Sequence, residues 1–449
     1  MKPAQLKARQ KELADSGIHS IFTQLTDLHG VAKGKLVPIE RLQQWVSQGA
    51  GFAGPSIEGT GLPRQGPRSE YYGRVQPQSL IVLPFMPGVA HAVCDGFAGN
   101  EPLETCSRQT LKRQVTRLAE RGWTLNVGVE PEFFVFRRDD SGQLVKADIS
   151  DKLDKPSYDF KSIYLQRDFL DDLRRQLLEL GFDILQIDHE DAWGQYELNY
   201  RFHDALEAAD RYMLFKMTAH AVAQKHGLVF SAMPKPYAGS PGSGLHFHIS
   251  LSNRQGKAVM APSMGDNKRG SYLSETGLQF AAGLLHHADA LAALCAPTVN
   301  SYKRLAVSRS ASGTTWSPVW KAWGENNRSC LLRSVEGRLE WRMPDPTCNI
   351  YAALSGVIAA GLDGIDQAMQ APPACEEDLY ERFAQDEPMP AQLPTSLQAA
   401  THALAQNAIL RKAIGEAFCE QVLILQREQW RHWQSHITGW EWQQFGDFY

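Results

Sequence analysis

Alternation of apolar and polar residues dominates several segments of this chain. Across residues 125–136 the apolar Leu125, Val127 and Val129 alternate with polar positions. A strand sends every second side chain to one face, which predicts that Glu130 and Glu132 lie side by side with Pro131 turned away. Residues 244–251 repeat the device: Leu245, Phe247, Ile249 and Leu251 face one way, His246, His248 and Ser250 the other. Over 337–343, Leu339, Trp341 and Met343 oppose Arg338, Glu340 and Arg342, and in 195–200 Glu197 and Asn199 share a face. Further strands are predicted at 182–187, 228–233 and, rich in arginine, over about 328–343.

Helical spacing replaces alternation elsewhere. Leu111, Val115, Leu118 and Ala119 recur at helical intervals after Ser107, a capping residue type, and Gly122 can close that helix. Helices are also predicted near 169–180, 205–226 and 274–296, and through most of the chain beyond 343. The first hundred residues carry short apolar runs at 18–27, 33–38, 79–84 and 88–95, one helix near 39–48, and a long loop across 49–76. Helices do not alternate regularly with strands, so the expected class is α+β, with a small domain over 15–103 and a larger one over 104–449.

Composition narrows the class. The 449 residues are 43% hydrophobic and 21% charged, with a net charge of −4, which provides no footprint for nucleic acid or an anionic membrane. No apolar run approaches the length of a membrane span, and the polar start lacks the apolar centre of a secretion signal. Seven cysteines without a Cys-x-x-Cys pair fit reduced thiols in a cytoplasmic protein. A phosphate-binding Gly-Lys loop, a dinucleotide fingerprint, a nucleophile elbow and a zincin helix are all missing from the sequence.

Candidate chemistry rests on six residues spread over the strands: Glu130, Glu132, Glu190, Glu197, His246 and Glu340. Buried carboxylates are costly unless cations pair with them. Five carboxylates and one imidazole suit hard divalent ions, Mg²⁺ or Mn²⁺, better than a thiolate-loving metal. His19, His29, His91, His189, His220, His226, His286, His287 and His436 read as surface or core residues, and the tryptophan-rich tail (Trp430, Trp433, Trp440, Trp442) as packing surface or a docking face.

The strings Val129-Glu-Pro-Glu-Phe-Phe134, Gly242-Ser-Gly-Leu-His-Phe-His248, Asn300-Ser-Tyr-Lys-Arg304, Asn327-Arg-Ser329 and Arg338-Leu-Glu-Trp-Arg-Met-Pro-Asp345 resemble, in order and spacing, the signature stretches of glutamine synthetases. The resemblance runs from about residue 18 to the end. It implies an N-terminal β-grasp domain and a catalytic domain built on a curved antiparallel sheet, in stacked rings (a dodecamer) with active sites between subunits. It assigns Glu132, Glu190 and Glu197 to a metal nearer the substrate, and Glu130, His246 and Glu340 to one nearer ATP. His248 and Ser250 would lie toward the nucleotide, and Arg328, Arg333 and Arg338 would contact phosphates. Arg304 and Arg342 would steady glutamate and the transferred phosphoryl group, with Gly242 beside the glutamate. Tyr380 aligns loosely with a tyrosine that some relatives modify; an ordinary exposed tyrosine is the expectation here.

Departures from the family pattern refine the substrate. Ammonia-using relatives carry an aspartate in a loop that here reads Phe52-Ala-Gly-Pro-Ser56, and a flap glutamate where residues 305–316 contain no acid; Glu58 could replace the loop acid. Pro241 stands where the family has asparagine. The pattern resembles γ-glutamylmethylamide synthetases and type III glutamine synthetases. The expected reaction joins glutamate to a small primary amine, methylamine favoured, at the expense of ATP. An ammonia-dependent glutamine synthetase and a ring-forming relative without catalysis are the alternatives.

Overall fold

The structure, a computed structural model, describes residues 1–262, 272–307 and 313–447. Among them the chain forms two sheets with helices packed around them, an α+β arrangement as expected. A polar helix, Pro3–Asp15, precedes the first sheet. That sheet is seven-stranded: β1 (Ser20–Thr26), β2 (Ala32–Pro38), β3 (Ala50–Ala53), β4 (Glu70–Val75), β5 (Ile81–Val82), β6 (Val89–Ala98) and β7 (Glu101–Pro102). Its central path runs β2-β1-β6-β4-β3, with β1 and β6 parallel and the other pairs antiparallel. The expected loop over 49–76 is thus two paired strands at its ends. Ala50 opposes Gly73, and Phe52 meets Tyr71 edge to face with ring centroids 6.0 Å apart. Gly49, Gly51, Gly54 and Gly73 dilute the apolar alternation there and hid these strands.

The second sheet has ten strands: β8 (Trp123–Arg138), β9 (Leu144–Lys146), β10 (Ile184–His189), β11 (Gln195–Tyr200), β12 (His203–Asp204), β13 (Val229–Ser231), β14 (Leu245–Asn253), β15 (Trp323–Glu325), β16 (Leu332–Val335) and β17 (Arg338–Trp341). The main path is β10-β11-β8-β14-β17-β16-β15, antiparallel except between β15 and β16. One face is apolar. Leu125, Val127, Val129, Phe247, Ile249, Leu339 and Trp341 are buried in one cluster with Tyr212 and Phe215 of the helix Ala205–Lys225 and Ile350, Leu354 and Val357 of the helix Ile350–Asp366. The opposite face carries the charged residues.

The helix expected over 274–296 is two, Glu275–His286 and Ala288–Cys295, broken at His287. The break lets the imidazole reach Asp363 Oδ2 (2.9 Å) and accept from Asn407 Nδ2 (2.8 Å). All seven cysteines are free thiols.

Arg108, 8% exposed, ties the two sheets together. It pairs with Asp95 on β6, and its Nε and Nη2 fork onto Asp210 of the helix Ala205–Lys225, both at 2.8 Å. Tyr351 Oη donates to the same Asp210 carboxylate at 2.7 Å. Burial disfavours the guanidinium charge, yet Asp210 and Asp95 outweigh it and hold Arg108 firmly protonated. Removing one member of such a group strands the others. Arg108→Met should therefore destabilise the protein by about 3–5 kcal/mol, read as a lowered denaturant midpoint at unchanged slope.

Candidate active site

The polar face of the second sheet is assembled by register. Along one line of cross-strand partners, Asp188 opposes Glu197 and Glu197 opposes Glu132. Two residues away Glu130 opposes His246, and next to that His248 opposes Glu340, which opposes Arg333. Directly opposed side chains start about 5 Å apart, so the pairing itself concentrates these groups. They line a cavity of about 740 Å³, with Glu190, Gly242, Arg304, Trp316, Arg328, Arg338 and Arg342.

His246 sits centrally, its Nδ1 3.5 Å from Glu340 Oε1 and 3.7 Å from Glu130 Oε2. His248 Nδ1 accepts from Arg338 Nε (3.2 Å), leaving its Nε2–H to meet Glu130 Oε1 at 3.0 Å. Glu340 is gripped from both sides, by Arg333 Nη1 (2.6 Å) and Arg342 Nη1 (2.7 Å). Arg304 donates to the carbonyls of Met343 (2.9 Å) and Arg342 (3.1 Å), bracing the segment after β17. Gly244 is required at its position: a Cβ there would lie 2.6 Å from His246 Nε2 and 2.8 Å from Arg304 Nη2. At Gly242 it would strike the Pro234 carbonyl.

The cavity is electrically divided. On the arginine side, burial would raise the Glu340 carboxyl, but Arg342 and the histidines outweigh it and hold it down at about 2. Against the same burial, His246 and His248 hold Glu130 well below the usual carboxylate range. Burial, helped by Arg342, lowers His246 to about 4, so the imidazole is neutral, as a metal ligand must be. On the other side compensation falls short: the Gly244 N–H, Arg304 and Arg342 offset only part of what raises Glu132. Burial and Glu190 push Glu132 to about 8; burial and Asp188 push Glu190 to about 7; burial and Glu130 push Asp188 to about 6. Burial and the neighbouring carboxylates drive Glu197 well up.

The donor set fits divalent cations. Ligand atoms of Glu130, His246 and Glu340 lie within 4.8 Å of one another, as do those of Asp188, Glu190 and Glu197. Asp188 Oδ1 and Asn199 Oδ1 are buried acceptors without a hydrogen-bond partner among the described residues. The first trio is the expected one. The second replaces Glu132 with Asp188, while Glu132 stands between the trios. Its Oε1 is 4.0 Å from His246 Nε2, and its Oε2 accepts from Gln195 Nε2 and Gly244 N, each at 2.9 Å.

Other expectations fare differently. Ser250 lies farther along β14, within 3.4 Å of Asn126 Nδ2, and does not line the cavity. Glu190 falls just beyond β10 rather than on a strand. Among the described residues none of the cavity lining comes from before residue 130, so Ala53 and the exposed Glu58 are outside it. Residues 308–312 of the acid-free 305–316 segment are outside the described residues. Tyr380 is not an ordinary exposed tyrosine: its hydroxyl donates to the Ser317 carbonyl, and its ring packs edge-on against Trp320, 5.4 Å between centroids. Sequence reasoning missed Asp188, Gln195, Tyr158 and Trp316. The spacing of Asp188 two residues before Glu190, the same as that of Glu130 and Glu132, is the signal that could have found the first.

Comparison with known proteins agrees with this geometry. The family model described as glutamine synthetase, catalytic domain, matches residues 104–445. A glutamate–methylamine ligase of Methyloversatilis universalis is 42% identical over 443 residues, covering 98% of this chain and 99% of that protein. A glutamine synthetase of Rhizobium leguminosarum bv. phaseoli is 37% identical, covering 95% and 96%. Among solved structures, the GmaS/ADP complex (conformation 1) matches with a TM-score of 0.90 at 34% identity, covering 98% of this chain and 99% of that one. GmaS without ligand matches at 0.89 and 33%.

The acid-rich side generates a pH prediction. Glu132, Glu190 and Asp188 have folded-state values above their unfolded ones, so they bind protons in the folded chain that the unfolded chain has released. Their stabilising effect is complete below about pH 4 and is lost as pH rises through about 6, 7 and 8. In EDTA, this contribution should lower the Tm between pH 6 and 8. Added Mg²⁺ or Mn²⁺ should restore it by a few degrees, the gain growing with pH. Thermal melts across that range check both; a cation effect that shrinks with pH contradicts the assignment.

Proposed function

This chain belongs to the glutamine synthetase family, and on that premise we propose that it is a glutamate–methylamine ligase, forming a γ-glutamyl amide through γ-glutamyl phosphate. It is an ATP-dependent carbon–nitrogen ligase like its relatives. One observation carries the reading: a single cavity sets two trios of metal-ligating side chains, five carboxylates and one imidazole, against five arginines, the arrangement a phosphoryl transfer onto a carboxylate needs. The small sheet (15–103) and the catalytic body (104–449) are taken as separate domains. The working enzyme is proposed to be a cytoplasmic homo-oligomer, its rings bringing residues such as Ala53 to a neighbouring cavity.

A carboxylate is a poor electrophile. In the first step an oxygen of the glutamate γ-carboxylate attacks the γ-phosphorus of ATP, the bond to the bridging oxygen breaks, and ADP leaves. In the second the alkylammonium first loses a proton, the freed nitrogen lone pair attacks the acyl carbon, phosphate departs with its electron pair, and the nitrogen gives up a second proton. Glu130, His246 and Glu340 would hold one divalent ion, and Glu190 and Glu197, with Asp188 and Glu132 beside them, another. Such ions supply neutralisation of phosphoryl charge. Arg333 and Arg338, beside Glu340 and His248, would meet nucleotide phosphates, and Arg328 would reach them from the exposed rim. Arg342 and Arg304 would orient the glutamate and the moving phosphoryl group. Arginine suits these places because its planar fork meets two oxygens at once.

Methylamine over ammonia is supported by the missing acids at Ala53 and along the described part of 305–316, together with the likeness to a glutamate–methylamine ligase. Near neutral pH both amines arrive protonated. Burying one methyl group gains only about 1 kcal/mol, so the larger effect is weakened ammonium binding.

Arg338→Lys should lose on the order of 10²-fold in kcat while keeping its charge, since lysine cannot reproduce the fork aimed by His248. Wild-type kinetics would make Arg338 a structural partner of His248. For the amine, kcat/KM should be higher for methylamine than for ammonia, with ethylamine poorer. Ala53→Asp should move the ratio toward ammonia. A wild-type preference for ammonia in side-by-side assays at one pH replaces this reading with glutamine synthesis.

A further inference from the structure

Two aromatic residues at the cavity have backbones that such side chains rarely adopt. Trp316 has φ 55° and Tyr158 φ 63°, both in the left-handed region. Strain of this kind persists only where surroundings impose it. One carboxylate reaches both loops. Asp191, directly after Glu190 and 5% exposed, accepts from Trp316 Nε1 on its Oδ2 (3.2 Å) and from Ser157 Oγ on its Oδ1 (2.8 Å). The Trp316 carbonyl in turn accepts from Arg342 Nη2 at 3.0 Å, the same guanidinium that binds Glu340.

Trp316 is therefore pinned at both ends, side chain and main chain, yet remains 43% exposed at the cavity. A large ring fixed and left partly uncovered in the cavity that Asp188, Glu190 and Glu197 also line, and bonded to the residue next to Glu190, combines an apolar surface with an attraction for cations. An ammonium group is drawn to the carboxylates and to the face of an indole, and its alkyl substituent gains from the same ring. Resting on the amine-ligase reading above, we infer that Trp316 is the specificity wall of the amine subsite, recognising the alkyl part of a small primary alkylammonium, and that Asp191 is the positioning residue that holds the ring in place. Adenine stacking is the competing use of the ring. The indole itself is bonded to Asp191, next to Glu190 on the acid-rich side, which favours the amine, while only its main chain meets Arg342.

The test uses the full-length enzyme with Trp316→Ala and Trp316→Phe, measuring kcat/KM for ammonia, methylamine, ethylamine and propylamine, and KM for ATP and glutamate. Trp316→Ala should lower the methylamine-to-ammonia ratio about fivefold and narrow the gap between methylamine and the larger amines. Trp316→Phe, which keeps a ring but loses the bond to Asp191, should fall between. Asp191→Asn, which retains one carbonyl acceptor, should move the same ratio less than Trp316→Ala. A ratio that stays fixed while all amines slow together overturns the inference and makes Trp316 a support for Arg342. A rise confined to the KM for ATP overturns it in favour of base stacking. A wild type that prefers ammonia overturns the substrate reading itself, and this inference with it, whatever the variants do.

Discussion

Like charges buried on one sheet face are the constraint around which this protein is built. Asp188, Glu197 and Glu132 succeed one another across β10, β11 and β8, where cross-strand neighbours of one sign repel. On β14, β17 and β16 the sheet answers the same problem with its own cations: Arg333 and Arg342 clasp Glu340, and His248 meets Glu130. On the β10–β11 side no arginine among the described residues pairs with Asp188, Glu190 or Glu197, and the carboxyls are pushed up toward neutrality. The chain thus carries half of its charge compensation and leaves half to what it binds. A site that is complete only with cations present ties folding, ligand binding and phosphoryl chemistry to one electrostatic balance.

The rest of the fold keeps that face in position. Because side chains alternate, the strands that display acids inward present Leu, Val, Phe, Ile and Trp to the helices behind, and hydrophobic burial holds a repulsive array in register. A slip of one residue would send the acids into the apolar layer, so register is specified twice, by both faces. The close approaches at Gly242 and Gly244 and the bracing of the 342–343 backbone by Arg304 extend the same control past the strand ends.

Where alternation is unbroken, the sequence was legible: β8, β14 and β17 follow the expected faces, and Glu130, His246 and Glu340 meet as their parity predicts. Asp188 was legible only from its spacing to Glu190; strand parity hid it, for a physical reason. β10 carries an irregularity between Ile184 and Gln186 that leaves Leu185 out of register and reverses the parity of everything after it. Read with unbroken alternation, Asp188 shares a face with core-facing Ile184; with the bulge it opposes Glu197. Ser250 shows the opposite limit. It has the right parity on β14, but parity fixes a face and not a distance along it. The loop aromatics escaped because contacts such as Trp316 with Asp191 join segments with no periodic relation at all.

Charge attracts the amine but cannot choose it. Ammonium and methylammonium carry the same charge and meet the same carboxylates, so the acid wall that draws one draws the other. Discrimination has to come from groups that see the methyl, and a methyl gives only about 1 kcal/mol of contact, roughly fivefold. A larger ratio requires that the smaller substrate also lose something: without acids at Ala53 and along 305–316, acceptors are missing for the fourth N–H that ammonium has and methylammonium lacks. In the amine ligase proposed above, preference for methylamine over ammonia then arises from subtraction as much as addition. The fold can make that change in its loops without touching the strand register on which phosphoryl transfer depends.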